Sequence, residues 1–474
     1  MMKIKVLGVE DELILKAMAV INQTFFTENE HISLIFHFEE TIAAKMLRIT
    51  GMLNGHISER TCAQNDDKAR KSAYLAVYFL LLQQATHQKP PWGLLNGMRP
   101  MKLIHELRKC QIPDDEIKVH MQNEYLVADE KIDLLLKVAK HQLRVLPDLD
   151  QLKQEVSLYI GIPFCPTKCA YCTFATYAYE PFKKWVAPFL EVLLKEIKLV
   201  GAYLREKQIP VTSIYFGGGT ATMLETSQLE ELFIAVFEAI SFREQVREIT
   251  VEAGRPDTIT PEKIHLFKKF HIDRISINPQ SFNQKTLDLI GRHHQASETL
   301  EKFALAKKGG IKNINMDLIV GLPGEGPPEL ATSLKQIKKL QPESLTVHML
   351  AFKRNSEITR DRGLYPTVSK ADLHEMSQMT YEFTKSWGYS PYYLYRQKNM
   401  AGNMENIGYA KQGHESIYNI LMMEEAQNIL GLGVGAASKY LIGESIHNPR
   451  DLKTYIETYE AYALKKLQWL AKSL

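Results

Sequence analysis

Tyr159–Cys172 reads YIGIPFCPTKCAYC and holds three of the five cysteines of this 474-residue chain, Cys165, Cys169 and Cys172, within eight positions. The run SLYIGIPF (157–164) is apolar, β-branched and aromatic, which predicts a strand. Gly161, Pro163 and Pro166 predict that the chain leaves this strand as a loop and not as a helix. In βα architectures, such a loop at a strand's C-terminal end is where chemistry is placed. Three thiolates converging from one loop suit a metal. Structural zinc takes four ligands, and no fourth Cys or His follows through Tyr179. A four-iron cluster on three thiolates would keep one iron open for a small molecule.

From about residue 155 the chain repeats one unit of strand, loop and amphipathic helix. The strands read SLYIGIPF (157–164), SIYFGGGT (213–220), EITVEAG (248–254), RISINPQSF (274–282), NINMDLIVGLP (313–323) and SLTVHMLAF (344–352). Between them lie helical stretches such as 183–204, 227–240, 261–270 and 297–310, with starts marked at Thr260-Pro261 and at Ser297 before Glu298. This alternation predicts parallel βαβ units in an α/β fold. Six units fit a partial (β/α)6 barrel, with a doubly wound open sheet as the alternative. Residues 1–150 read as an N-terminal accessory α+β domain. It has strands at MKIKVLGV and HISLIFHF, helices near 68–88, 100–110 and 129–146, and the Pro-rich PPWGLLNGMRP between them. The amphipathic helices 68–88 and 129–146 are expected to pack on the barrel. Residues 151–385 read as the core barrel and 386–474 as a third region rich in Tyr, Gly and Met, for which a family resemblance, carried by the motifs that follow, implies a mostly helical C-terminal domain covering the substrate.

Composition is that of an ordinary globular protein, 45% hydrophobic and 24% charged. A net charge of +3 argues for neither nucleic acid nor a membrane surface as partner. The longest apolar run, Ala73–Leu82, is too short to span a bilayer. No secretory signal is visible, and an odd, clustered cysteine count reads as a reducing cytoplasm. Cys62 and Cys110 read as structural or inert thiols.

The C-x3-C-x2-C spacing is the signature of the radical S-adenosylmethionine (SAM) superfamily, whose open iron chelates SAM. Gly217-Gly218-Gly219-Thr220 closes the second strand, where glycines let backbone approach a ligand. The following strand ends carry Glu252, Gln280 and Asp317, with Arg292 twelve residues after Gln280. Taken singly, the glycines would read as a tight turn, and Glu252 or Asp317 as a salt bridge or helix cap.

Together, YIGIPFCPTKCAYCTF, FGGGTATML, VEAGRPDTI, RISINPQSFN and NMDLIVGLPGE resemble the anaerobic (oxygen-independent) coproporphyrinogen III oxidase family over residues 155–445. The N-terminal extension, EAGRPDTI and ENIGYAKQGHE resemble its HemZ-like branch. The resemblance implies a radical SAM barrel with one [4Fe-4S] cluster on Cys165, Cys169 and Cys172. It implies SAM contacts at Tyr159, Tyr171, Gly218, Gly219, Thr220, Glu252, Gln280, Arg292, Asp317, Ala351 and Ala437, and room for a second SAM. The implied activity is decarboxylation of coproporphyrinogen III to protoporphyrinogen IX, with an external electron donor of the flavodoxin or ferredoxin type and an electron acceptor. The family also contains haem chaperones, which bind haem and pass it to client proteins.

Two departures from the family pattern point opposite ways. The oxidase's fourth cysteine is Phe174 here, a loss shared with the chaperones. The chaperones' HNxxYW motif is His414-Glu415-Ser416-Ile417-Tyr418-Asn419 here, with only His and Tyr kept. His293, His294 and His348 are further candidates for contact with propionate or iron. The Met-rich NILMMEEAQNIL reads as a packed helix face.

Overall fold

A computed structural model describes residues 3–26, 32–43, 45–95, 99–397 and 400–474. The chain divides into two compact units, Met1–Ala139 and Lys140–Leu474.

In the first unit, β1 (Lys3–Leu7), β2 (Ser33–Ala43), β3 (Met46–Leu53) and β4 (His56–Ala63) form one sheet in that order. β1 and β2 are parallel and the other pairs antiparallel. The described parts of the two expected strands are present as β1 and β2. Hairpin β3–β4 was not expected, although its turn is marked. Asn54 and Gly55 both take positive φ (49° and 85°), as a two-residue I′ turn requires. Helix Glu12–Phe25, also unexpected, starts at Asp11, whose carboxylate accepts from the N–H groups of Leu13 and Ile14. Helix Asp67–Thr86 finds its packing partner in its own unit: Tyr74, Val77, Tyr78 and Leu81 join Phe36, Phe38 and Ile49 in one core. Helices Pro100–Lys109, Asp114–Tyr125 and Asp129–Val145 follow. Residues 96–98 of the Pro-rich stretch lie outside the described residues.

The second unit is built on β5 (Val156–Ile162), with β6 (Phe164–Cys165) and β7 (Tyr177–Ala178) beyond it. The core continues with β8 (Val211–Gly218), β9 (Glu248–Glu252), β10 (Arg274–Ser276), β11 (Asn313–Val320) and β12 (Ser344–Met349). Then come β13 (Ser390–Tyr395), β14 (Asn406–Ala410), β15 (Asn428–Gly433), β16 (Ala437–Lys439) and β17 (Ser445–His447). Among the described residues these make an eleven-stranded sheet, β13-β14-β12-β11-β10-β9-β8-β5-β15-β16-β17. The six expected strands lie side by side in chain order and parallel. A doubly wound sheet would reverse order partway across, so the architecture is the partial barrel. Helices such as Val186–Glu206, Thr226–Ala239, Pro261–Lys269, Ala296–Lys308 and Pro327–Leu340 make the crossovers.

Three details differ from expectation. The helix start marked at Ser297 has its cap two residues earlier, where Gln295 and Glu298 bond each other's backbone N–H groups. The Met-rich stretch is helix only through Glu424. Glu425 turns left-handed (φ 51°) and the chain becomes β15, parallel to β5. A short apolar run cannot declare its period; the strand is fixed by Gln427, which bonds Ser157, Thr212 and the Leu152 carbonyl from a buried position. The C-terminal region also contributes β13 and β14 at the opposite edge, beside β12, together with the helix Leu452–Ser473. Among the described residues no helix is long and apolar enough to cross a membrane.

Candidate active site

The cysteine loop is clasped at its base. β6 pairs with β7, Phe164 opposite Tyr177 and Cys165 opposite Ala178, and the Tyr177 N–H donates to the Pro163 carbonyl at 2.7 Å. Inside the loop, Cys172 N–H donates to the Cys169 carbonyl (3.0 Å) and Ala170 N–H to Ile290 (3.0 Å). The Thr167 hydroxyl donates to the Gly291 carbonyl at 2.7 Å. From the C-terminal region, Arg450 donates to the Thr173 carbonyl, and a Cβ on Gly435 would stand 2.6 Å from that of Ala175. The loop carrying all three thiols is therefore anchored on three sides.

The glycine run lies against the first cysteine. Thr220 N–H donates to the Phe164 carbonyl (2.8 Å), and the Thr220 hydroxyl sits 3.5 Å from Cys165 Sγ. A Cβ at Gly219 would meet the Phe164 carbonyl oxygen at 2.6 Å and Cys165 Sγ at 3.0 Å. Gly219→Ala is therefore expected to push Cys165 aside and lower the iron retained after reconstitution well below the wild-type content. Iron and sulfide analysis of the purified variant checks this.

Two buried arginines brace the site. Arg292 donates to the carbonyls of Gly254 (2.8 Å) and Asn278 and to the Tyr171 hydroxyl (3.3 Å), with Nη1 4.0 Å from Cys169 Sγ. Arg255 bonds Thr167 (2.9 Å), Asp257 (2.9 Å) and the Arg292 carbonyl. The pair joins the loop after β5 to the ends of β9 and β10.

A second group lines the barrel mouth. The rings of Tyr159, Tyr215 and Tyr418 stack, Tyr215 on Tyr418 at 4.7 Å and on Tyr159 at 6.0 Å. Glu252 reaches the Tyr215 hydroxyl, and a Cβ on Gly217 would lie 2.8 Å from its Oε2. Asp317 accepts from Asn315 (2.7 Å) and faces His348 Nε2 at 3.6 Å; His348 Nδ1 lies 3.1 Å from the Tyr395 hydroxyl. Gln280, in the left-handed region (φ 65°), knits its backbone to Asp317 and Ile319. A non-glycine residue in that region is a strain that persists at functional sites.

Electrostatics separate the two groups. Burial, and less strongly Cys169 and Cys172, push Cys165 up to about 12 against the pull of the Thr220 hydroxyl. Burial also raises Cys172. Thiols so placed ionise when a metal takes them. Burial, then the nearby Asp317 charge, push Glu252 up to about 8. Burial opposes ionisation of Asp317 too, but His348 and Asn315 together hold it below the usual carboxylate range.

These residues fit an iron–sulfur cluster with a polar ligand beside it. Three soft donors share one loop, and buried polar atoms of the surrounding residues (Gln280 Oε1, Asn278 Oδ1, Arg292 Nε) have no hydrogen-bond partner among the described residues. Among the described residues, no three His, Cys, Asp or Glu side chains gather closely enough to hold a single metal ion.

Of the residues singled out in the sequence, the cysteines, Tyr171, Gly218, Gly219, Thr220 and Arg292 form the first group. Tyr159, Glu252, Gln280 and Asp317 form the second. Ala351 bridges to Met400, and Ala437 opens β16 opposite His447, its backbone against Gly431. His293 is exposed. His294 is buried, both ring nitrogens lack a hydrogen-bond partner among the described residues, and burial, then Arg292 and Arg255, push it down to about 3. Glu415 is engaged by His141 at 2.6 Å, so that part of the HESIYN segment (414–419) is structural. Arg255, Asn278, Tyr215, Arg274 and Tyr395 were not read as site residues. Only Arg255 had a signal, three residues past Glu252.

A model of the radical SAM superfamily matches residues 159–337. The chain is 43% identical, over 99% of its length and 98% of the other's, to the oxygen-independent coproporphyrinogen-III oxidase-like protein HemZ of Bacillus subtilis (strain 168). It is 29% identical to the heme chaperone HemW of the same organism, over 64% of this chain and 75% of that protein. Among solved structures, the radical SAM coproporphyrinogen III oxidase HemN of Escherichia coli shares the fold. Its TM-score is 0.54 at 23% identity, covering 67% of this chain and 72% of that one.

Proposed function

Because the chain belongs to the oxygen-independent coproporphyrinogen III oxidase family of radical SAM proteins, in its HemZ-like branch, we propose that it oxidatively decarboxylates coproporphyrinogen III to protoporphyrinogen IX. The observation that carries this reading is the meeting of two groups at one barrel mouth: a clasped three-thiol loop braced by Arg292, and the strand-end residues Tyr159, Glu252, Gln280 and Asp317.

Cys165, Cys169 and Cys172 would hold the [4Fe-4S] cluster, and Gly218, Gly219 and Thr220 would leave room for SAM beside it. Bound there, cluster and SAM supply a 5′-deoxyadenosyl radical, the chemistry being the cofactors' own. The protein's share is placement and exclusion. Arg292 is fixed by two carbonyls and can face a carboxylate. Asp317, held ionised by its partners, can accept from hydroxyls. The stacked rings of Tyr159, Tyr215 and Tyr418 would shield the site from water. Each propionate loses a hydrogen atom, CO2 and one electron to become a vinyl group, so an external electron donor and an acceptor complete the cycle. Room for a second SAM is part of the same reading.

A second reading, haem delivery, is favoured by Phe174, which is 66% exposed at the position of the oxidase's fourth cysteine. An anaerobic assay separates the two. With reconstituted protein, SAM, a low-potential reductant and coproporphyrinogen III, protoporphyrin fluorescence is expected to rise together with 5′-deoxyadenosine. Tight hemin binding with no porphyrin product would move the assignment to the chaperone.

A further inference from the structure

The loops that follow the first and last barrel strands meet beside the third cysteine. Four strands separate β5 from β12 in the sheet, and the two are not paired with each other. Yet the Ile358 N–H, beyond β12, donates to the Ala170 carbonyl of the cysteine loop at 3.1 Å. The same meeting sets the Lys353 ammonium 5.9 Å from the centre of the Phe174 ring. Both backbones are fixed. Phe174 donates its N–H to the Cys172 sulfur, and its carbonyl accepts from the Thr176 N–H at 2.9 Å. The Lys353 carbonyl accepts from the Ser356 N–H and hydroxyl, each at 2.8 Å. The side chains are less well served. The Phe174 ring is 66% exposed on this anchored loop. Lys353 is partly buried and makes no ion pair with a carboxylate among the described residues; the charge acting on it is that of Cys172. Arg354, next to it, is exposed and likewise has no acidic partner among the described residues. A single exposed ring is ordinary. A ring held beside a partly buried, unmatched ammonium is not, because burying a cation without a counter-charge costs free energy.

We propose that Phe174 and Lys353 form a tetrapyrrole contact beside the cysteine loop, the phenyl ring covering part of the macrocycle and the ammonium taking a propionate carboxylate. This rests on the reading that the chain handles a tetrapyrrole. It applies to a porphyrinogen substrate and to a carried haem alike, since both present an apolar macrocycle with carboxylates at its edge. Apolar surface with a few placed charges is the usual make-up of a small-molecule site. The carboxylate supplies Lys353 with the counter-charge that the protein withholds. The macrocycle removes the phenyl ring from water. Phe174 comes from the loop that carries the three thiols, and Lys353 lies two residues after Ala351. A ligand on this pair therefore borders the candidate site from the cysteine side, and Arg354 adds positive charge to the same rim.

The test is anaerobic binding of coproporphyrin III, the stable oxidised form of the porphyrinogen, and of hemin to the full-length, cluster-reconstituted protein. Porphyrin fluorescence and the hemin absorption band follow the two ligands. Lys353→Gln is expected to weaken coproporphyrin III binding about 10-fold and to flatten its salt dependence, whereas Lys353→Arg keeps both. Phe174→Ala is expected to weaken it about 5-fold at every salt concentration. The change in salt dependence is one that a merely structural role of Lys353 would not produce. Preference for coproporphyrin III over hemin, with both variants weakened, assigns the contact to the substrate of decarboxylation. The reverse preference, with both variants weakened, assigns it to haem delivery. Wild-type binding that neither variant weakens overturns the proposal and leaves the proposed function intact. A wild type that binds neither ligand overturns both. If Lys353→Gln does not fold, Phe174→Ala, at an exposed position, decides alone.

Discussion

Cys169→Ala is expected to give a folded protein that retains no cluster and forms no 5′-deoxyadenosine. The fold survives because the loop is held by backbone bonds and the Thr167 hydroxyl, not by the thiol. Its ties run through Tyr177 to Pro163, Ala170 to Ile290 and Thr167 to Gly291. The Cys169 side chain itself offers only the long contact to Arg292. The function is lost because two thiolates remain where three are needed. Partners one step removed from a metal typically cost about 10–100-fold in affinity when replaced, and a ligand costs more. Thr220→Val supplies the comparison: it removes the hydroxyl beside Cys165 Sγ and leaves the Thr220 N–H on Phe164. Its iron retention is expected to fall within that milder range. Iron content, visible absorption and far-ultraviolet circular dichroism of the two variants check the pair. Full iron retention by Cys169→Ala would remove the three-cysteine assignment.

Lys466→Met is expected to destabilise the second unit by roughly 3–5 kcal/mol, the cost of leaving one charge of a buried pair unmatched. Lys466, on the helix Leu452–Ser473, pairs with Glu196 on the helix Val186–Glu206, and both side chains are fully buried. Burial, against the pull of Glu196, lowers the lysine. Around Glu196 converge the Gly433 N–H (2.9 Å), Asn448 Nδ2 (3.0 Å) and the Tyr455 hydroxyl (2.7 Å), while Lys466 also donates to the Gly431 carbonyl (2.8 Å). One carboxylate thus ties the last helix, the end of β15 and the segment before the helix together. Removing the ammonium leaves that carboxylate buried among neutral donors. The double variant Glu196→Gln, Lys466→Met is expected to recover much of the loss, because no unmatched charge remains. Denaturant midpoints of the single and double variants check this, and equal losses would show that packing, not charge, sets the cost.

Much of this arrangement was legible in the chain. The C-x3-C-x2-C loop, the glycine run and the polar strand ends are local patterns in which spacing and residue type carry the meaning. The six parallel strands were legible because each is a buried apolar run between amphipathic helices. Hairpin β3–β4 was also written locally, in Asn54-Gly55, but was passed over among less regular strands. β15 was not legible: the first half of the Met-rich run is helix and its last three residues are strand, and the switch is set by where Gln427 finds partners more than 200 residues away.

By itself, then, the amino-acid sequence determined the barrel's repeating units, the three thiols and the candidate ligands at the strand ends, since periodicity and spacing act over a few residues. Only the tertiary structure decided how those ligands differ. Glu252 and Asp317 look equivalent as acids at strand ends. Folding places Asn315 and His348 on one and leaves the other with Tyr215 and the guanidinium of Arg274, which acts on both. It likewise sets Arg255 and Arg292 behind the cysteine loop and seals the last helix through Glu196 and Lys466. Burial and charge act through space, between residues that lie far apart in the chain and meet only when it is folded.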